Sequence, residues 1–252
     1  MFYKKITLGQ VLSAALVIPG AAIFTCAQTN PAPDHSRKQN DRPTALAPAP
    51  ATSETKTEKA DPAAYSYDFS QPQFYLRHIV VEHDANGEGR VVVERRGEDT
   101  PIIEPLKLSA TAMGRIASRW QALRFLDSDQ NYQSDKQFPH LGTVRLKMKQ
   151  GTRERTAEFN WTNDREASAL VNEYRRAADQ AMFIFDMTMA REMRPLDAPK
   201  LMQQLDLMVT RGELSDPQQI IPLVLELSTD ERIPLMARNH ATRLLKKMQK
   251  QK

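Results

Sequence analysis

An α+β fold is predicted: an antiparallel sheet of two hairpins with helices packed on it in the order ββαββα, followed by an all-α segment. Three observations carry this reading. Two pairs of short runs rich in Val, Ile and aromatic residues are each joined by turn-forming residues. Two amphipathic helical stripes alternate with those pairs, and beyond residue 195 the apolar spacing is helical throughout.

The chain begins with Lys4 and Lys5 and an apolar stretch over 6–24 that is broken only by Thr7, Gln10 and Ser13, which reads as an export signal over residues 1–26. Cys26 is the single cysteine and stands where such a signal is cut. Three fates are open to it. Cys26 is the lipidated first residue of a bacterial lipoprotein, with Ile23 suiting the recognition sequence while Phe24 and Thr25 depart from it. Alternatively, cleavage after Ala27 discards the cysteine, or the stretch stays in the bilayer as an anchor, against which Pro19-Gly20 argues. Each fate places the folded part outside the cytoplasm, in the periplasm or anchored to the cell envelope. With no second cysteine, no disulfide framework holds it together.

Residues 27–70 are assigned to a disordered Pro/Ala/Thr-rich tether, with prolines at 31, 33, 43, 48, 50 and 62 and few large apolar side chains through its first part. Such a composition buries too little surface to offset the entropy of ordering, and as a coil it reaches about 35 Å. The net charge is +4, of which Lys4 and Lys5 supply two. The body is therefore nearly balanced, which excludes a nucleic-acid footprint.

The α+β domain is assigned to residues 71–194. Runs 74–83 and 90–95 flank the turn residues 84–89 and form the first hairpin; Val80-Val81 and Val91-Val92-Val93 break strict alternation, which predicts cover on both faces or a pairing partner. Ser109 is a good N-cap for a helix whose stripe is Met113, Ile116, Ala117, Trp120 and Leu123. The second hairpin spans 143–149 and 153–161 with its turn at Gln150-Gly151, which sets Lys147 opposite Glu154. Asn163 with Glu166 looks like a capping box for a long helix that carries Leu170, Tyr174, Ala178 and Phe185 and ends near Pro195.

This order, with Phe125-Leu126-Asp127 closing the first helix and Tyr132 nearby, resembles secreted bacterial ββαββα domains of unknown function over about residues 74–185. The resemblance implies export and a fold, and no chemistry. Residues 195–252 form the helical segment. Asp197 and Pro199 start one helix and Gly212 ends it; Ser215-Asp216-Pro217 starts another, and Ala237, Ala241, Leu244 and Met248 mark the last. Residues 216–248 are similar to a single HEAT-type helical pair, a unit that needs neighbours to bury its faces.

No catalytic, cofactor-binding or metal-binding residue is assigned, and no cofactor is implied. Gly-x-Ser-x-Gly, Ser-x-x-Lys, His-Glu-x-x-His and glycine-rich phosphate loops are missing from the sequence. His78 and His83 are an odd number of positions apart on one strand and so point to opposite faces. Asp127, Asp129 and Asn131 begin like a calcium loop, but Tyr132 and Phe138 stand where that loop needs Gly and Glu, so turns held by side-chain-to-backbone bonds are expected there. The cations of the last helix, Arg238, Arg243, Lys246, Lys247, Lys250 and Lys252, suit a helix C-terminus. The function expected is a non-catalytic binding or scaffold domain of the envelope that meets a protein partner, with membrane attachment through Cys26 or the apolar stretch. The alternative is an exported hydrolase with a dispersed active site.

Overall fold

The computed structural model describes residues 62–250, so Cys26, the export signal and most of the tether lie outside the described residues. Strands β1 (Ala63–Ser70), β2 (Leu76–Asp84), β3 (Glu88–Arg95) and β4 (Ile102–Lys107) precede helix α1 (Ala110–Ala122). Then come β5 (Thr143–Gln150), β6 (Arg153–Phe159) and helices α2 (Arg165–Met193), α3 (Ala198–Arg211), α4 (Pro217–Thr229) and α5 (Leu235–Lys250). The fold is α+β, with one antiparallel sheet in the order β4-β3-β2-β1-β5-β6.

The sheet has six strands where the two hairpins alone supply four. Residues 63–70, assigned above to the tether, form β1, which lies between the hairpins and makes them one sheet. The cause is plain alternation: Ala63, Tyr67 and Phe69 are buried, while Ala64, Ser66, Asp68 and Ser70 face the other way. The second addition, β4, pairs with β3 at the edge and contains Pro105. Proline has no N–H for a ladder, which makes the run read poorly as a strand yet suits an edge.

The second hairpin is real but its register differs by two residues. Gln150 pairs with Arg153, so Gly151 (φ 58°) and Thr152 form the turn and Lys147 lies opposite Thr156. A shift of two keeps every side chain on its face. Lys147 still reaches Glu154, now diagonally, at 2.9 Å.

Ser109 caps α1 by accepting from the Ala112 N–H at 3.1 Å. For α2 the cap is Asp164, not Asn163; its carboxylate accepts from the Ala167 N–H at 2.8 Å. Glu166 turns to Arg119 of α1 at 2.7 Å instead of closing a capping box. Gly212, at φ 65°, ends α3 as expected.

Two cores share α2. Its first half lays Leu170, Tyr174 and Ala178 against Tyr67, Val81, Val91 and Leu146 of the sheet and Ile116 and Trp120 of α1. Its second half gives Phe183 and Met187 to a cluster with Met202 and Leu205 of α3, Ile220, Val224 and Leu227 of α4, and Ala241 and Leu244 of α5. Each large side chain so buried contributes about 1.5–3 kcal/mol. The division expected at 194/195 is therefore not a domain boundary: all described residues fall in one compact unit, and the helical segment is built on the end of α2. Two ion pairs fasten this arrangement. Arg95 of β3, nearly buried, donates to both Asp186 oxygens at 2.8 Å, and Arg191 reaches Asp230, in the α4–α5 connection, at 2.7 Å. Arg232 first and Arg191 after it hold the Asp230 carboxyl well below the usual carboxylate range.

Candidate functional site

Helices α1 and α2 cover one face of the sheet, and among the described residues no helix covers the other. Alternation sends Asp68, His78, Val80, Glu82, Val92, Glu94, Arg145, Lys147 and Glu158 to this open face. The valine runs that suggested cover on both faces divide accordingly: Val81, Val91 and Val93 are buried, whereas Val80 and Val92 are only half-buried on the open side.

A row of charges crosses five strands there. Glu94 of β3 meets His78 Nδ1 of β2 at 3.2 Å, and His78 Nε2 meets Asp68 of β1 at 3.1 Å. Asp68 meets Arg145 of β5 at 3.4 Å, and Arg145 donates to Glu158 of β6 at 2.7 Å. Hydrogen bonding to His78, ahead of the charges of His78 and Arg77, lowers the Glu94 pKa, and Glu158 raises that of Arg145. Each pair taken alone is worth about 0.2–1 kcal/mol at a surface. Each carboxylate of the row has a hydrogen-bond partner on a neighbouring strand, Glu94 from Arg77 as well as His78.

On one side of the row lies an apolar strip. Val80 pairs with Val92, and Val92 with Ile103, which is 59% exposed. On the β1 side lies a trough of about 520 Å³. Its floor is Ala64 and Ser66, and the register sets each of these small residues between an acid of β2 and a lysine of β5: Asp84–Ala64–Lys149 and Glu82–Ser66–Lys147.

Behind the trough, on the covered face, His83 is buried and hydrogen-bonded on both sides. Its Nδ1–H donates to the Asp84 carbonyl at 2.7 Å, which leaves Nε2 to accept from the Tyr174 hydroxyl at 2.9 Å; the Tyr174 oxygen in turn accepts from Trp120 Nε1 at 2.9 Å. Burial lowers the pKa of His83 and raises that of Tyr174. Tyr65 stacks on the imidazole with ring centres 5.0 Å apart. A ring with both nitrogens engaged is a poor general base. Ser66, the nearest hydroxyl on the trough floor, lies on the opposite face of the sheet from His83.

The sequence candidates do not converge. His78 and His83 point to opposite faces, His140 lies in a short turn, and His240 pairs with Asp206 at 3.3 Å. Asp127 is paired to Arg153, Asn131 accepts from the Gln133 N–H at 3.0 Å, and Asp129 is exposed. Asp84 likewise accepts from the N–H groups of Asn86 and Glu88, and these bonds, led by that from Glu88, lower its pKa. Among the described residues no three His, Cys, Asp or Glu side chains come together as a metal site, and no helix is long and apolar enough to cross a membrane. On α5, Lys247 is engaged with Asp206 and Thr210, while Arg243, Lys246 and Lys250 are exposed.

Sequence reasoning missed the trough because its floor is β1. The alternation in Ala63–Ser70 is the signal that could have found it. No protein-family model matches the chain, and no curated protein matches it either.

Proposed function

We propose that this is an exported, non-catalytic binding domain of the bacterial envelope, held near a membrane by its N-terminal region, which meets a protein partner through the open face of its sheet. The observation that carries the reading is the strip Val80–Val92–Ile103, apolar side chains in contact register across three strands on a face that no helix covers among the described residues. Interfaces place such apolar centres inside polar rims. Here the rim is the charge row, whose groups already have partners, so an interface around the strip strands no unpaired charge.

The hydrolase alternative draws no support from the geometry around His83, where neither ring nitrogen is available and Ser66 lies on the far face. The partner is expected to offer an apolar row flanked by charges of both signs. Replacing Val92 by Arg tests the reading. It should abolish association with the partner while leaving the thermal unfolding curve within a few degrees of the parent's; retained association would refute it. Replacing Cys26 by Ala should release the protein from the membrane fraction if Cys26 is lipidated.

A further inference from the structure

The trough over β1 has a charge pattern that selects a ligand. On the open face, Ala64 and Ser66 are small side chains between β2 and β5, and they open a gap whose partner positions on both neighbouring strands carry charged chains. One wall carries Glu82, Asp84 and Glu88 with Arg90 beside Glu82, and the other carries Lys147 and Lys149. The two walls could have closed the gap by pairing across it. Instead Glu82 pairs with Arg90 on its own wall at 2.8 Å, Lys147 pairs with Glu154 of β6 at 2.9 Å, and Asp84 is held by its own turn. Lys149 has no carboxylate within ion-pair distance among the described residues, and Glu88 has only Lys107, at 3.7 Å. With Arg90 counted, three carboxylates and three cations line the trough, so it is formally neutral, and the Glu82–Arg90 pair leaves a negative side at Asp84 and Glu88 and a positive side at Lys149.

We propose that this trough binds a short zwitterionic peptide laid across β1, with its ammonium group at Glu88 and Asp84 and its carboxylate at Lys149. Strands lie about 4.8 Å apart, so the walls stand about 10–14 Å apart, measured from β5 to β2 or β3. An extended chain spans about 3.3–3.6 Å per residue, which makes three residues a fitting length. The aliphatic stems of the lysines and the Ala64 methyl group supply apolar contact, and the open top leaves peptide side chains unread, so termini rather than sequence are recognised. The proposal rests on the non-catalytic reading above in one respect: the peptide is held and not cleaved.

Calorimetric titration of the full chain with tri-alanine tests it. Saturable binding is expected, weakened roughly tenfold by acetylating the peptide amine or by amidating its carboxylate, and weakened to the same extent by Lys149→Ala. Lys149→Ala should not weaken binding of the amidated peptide further. Ala64→Phe fills the trough from an exposed position and should abolish binding with the unfolding temperature unchanged. Absence of saturable binding, equal binding of the blocked peptides, or full binding by Ala64→Phe would overturn the proposal. Mass spectrometry of the recovered peptide separates the two readings, since bound but cleaved tri-alanine would overturn the non-catalytic function and leave the trough as a peptide site.

Discussion

The Tyr174 hydroxyl lies 2.9 Å from His83 Nε2, across 91 positions of sequence, and joins the middle of α2 to the end of β2. The same oxygen accepts from Trp120 of α1, so one buried atom ties three elements. Tyr174→Phe keeps the ring and leaves two buried polar groups unmatched. At about 1–3 kcal/mol for each such group, a loss of roughly 2–6 kcal/mol in unfolding free energy is expected, read by urea denaturation with the slope unchanged. A variant as stable as the parent would show that the chain of bonds contributes nothing.

His83 makes stability depend on pH. Burial lowers its folded-state pKa below the ordinary 6.5, so the unfolded chain takes up the proton first. The stabilisation is therefore complete above about pH 6.5 and is lost as pH falls from there to the lowered folded value. Asp84, Tyr65 and Tyr174 are the titratable neighbours, and neither tyrosine ionises in this window. Denaturation midpoints measured between pH 7.5 and pH 5 should fall with pH in the parent and be flatter in His83→Asn. Identical slopes would contradict the assignment.

Removing Asp186 should be costly. Arg95 is nearly buried and gives both of its Asp186 bonds from one nitrogen, with Tyr75 and Phe185 stacked at 5.8 Å from its guanidinium carbon. Asp186→Ala leaves that cation in place with only Glu98, at 3.9 Å, within reach. Stranding a buried charge costs about 3–5 kcal/mol. Arg95→Met together with Asp186→Ala should recover much of the loss, and a double variant no better than the single one would contradict the cause given.

Gly142 stands at φ 91°, and a Cβ there would come within 2.8 Å of the Ser70 carbonyl oxygen and 2.7 Å of the Phe69 ring. Both the conformation and the contact with backbone resist a side chain. Gly142→Ala is expected to lower the unfolding temperature by several degrees, whereas Gly97→Ala, with open space around it, should show only the smaller strain of its own positive φ. Equal effects would indicate that the close approach to β1 carries no weight.

Local signals are legible in the sequence, and long-range ones are not. The Ser109 cap, the Gly212 stop and the opposite faces of His78 and His83 depend on a few neighbouring positions, and each is found as read. The strand β1 hides behind proline-rich sequence, and only pairing on both sides reveals Ala63–Ser70 as a central strand. Pro105 conceals β4 for a similar reason, since an edge tolerates what an interior strand does not. The candidate site shares this limit. Its acid–small–lysine rows draw on residues from three strands, and Ala64 and Ser66 carry no chemistry until Asp84, Glu82, Lys149 and Lys147 are set beside them.

The most direct test of the proposed binding role is a photo-cross-linking residue placed at Val92, on the open face, and compared with one at Arg211, at the end of α3, in the producing cells. A discrete adduct from position 92 that is lost on adding Ile103→Asp, with none from position 211, is the predicted result. The same adducts from both positions, or an adduct at 92 that survives Ile103→Asp, would contradict a partner seated on the apolar strip.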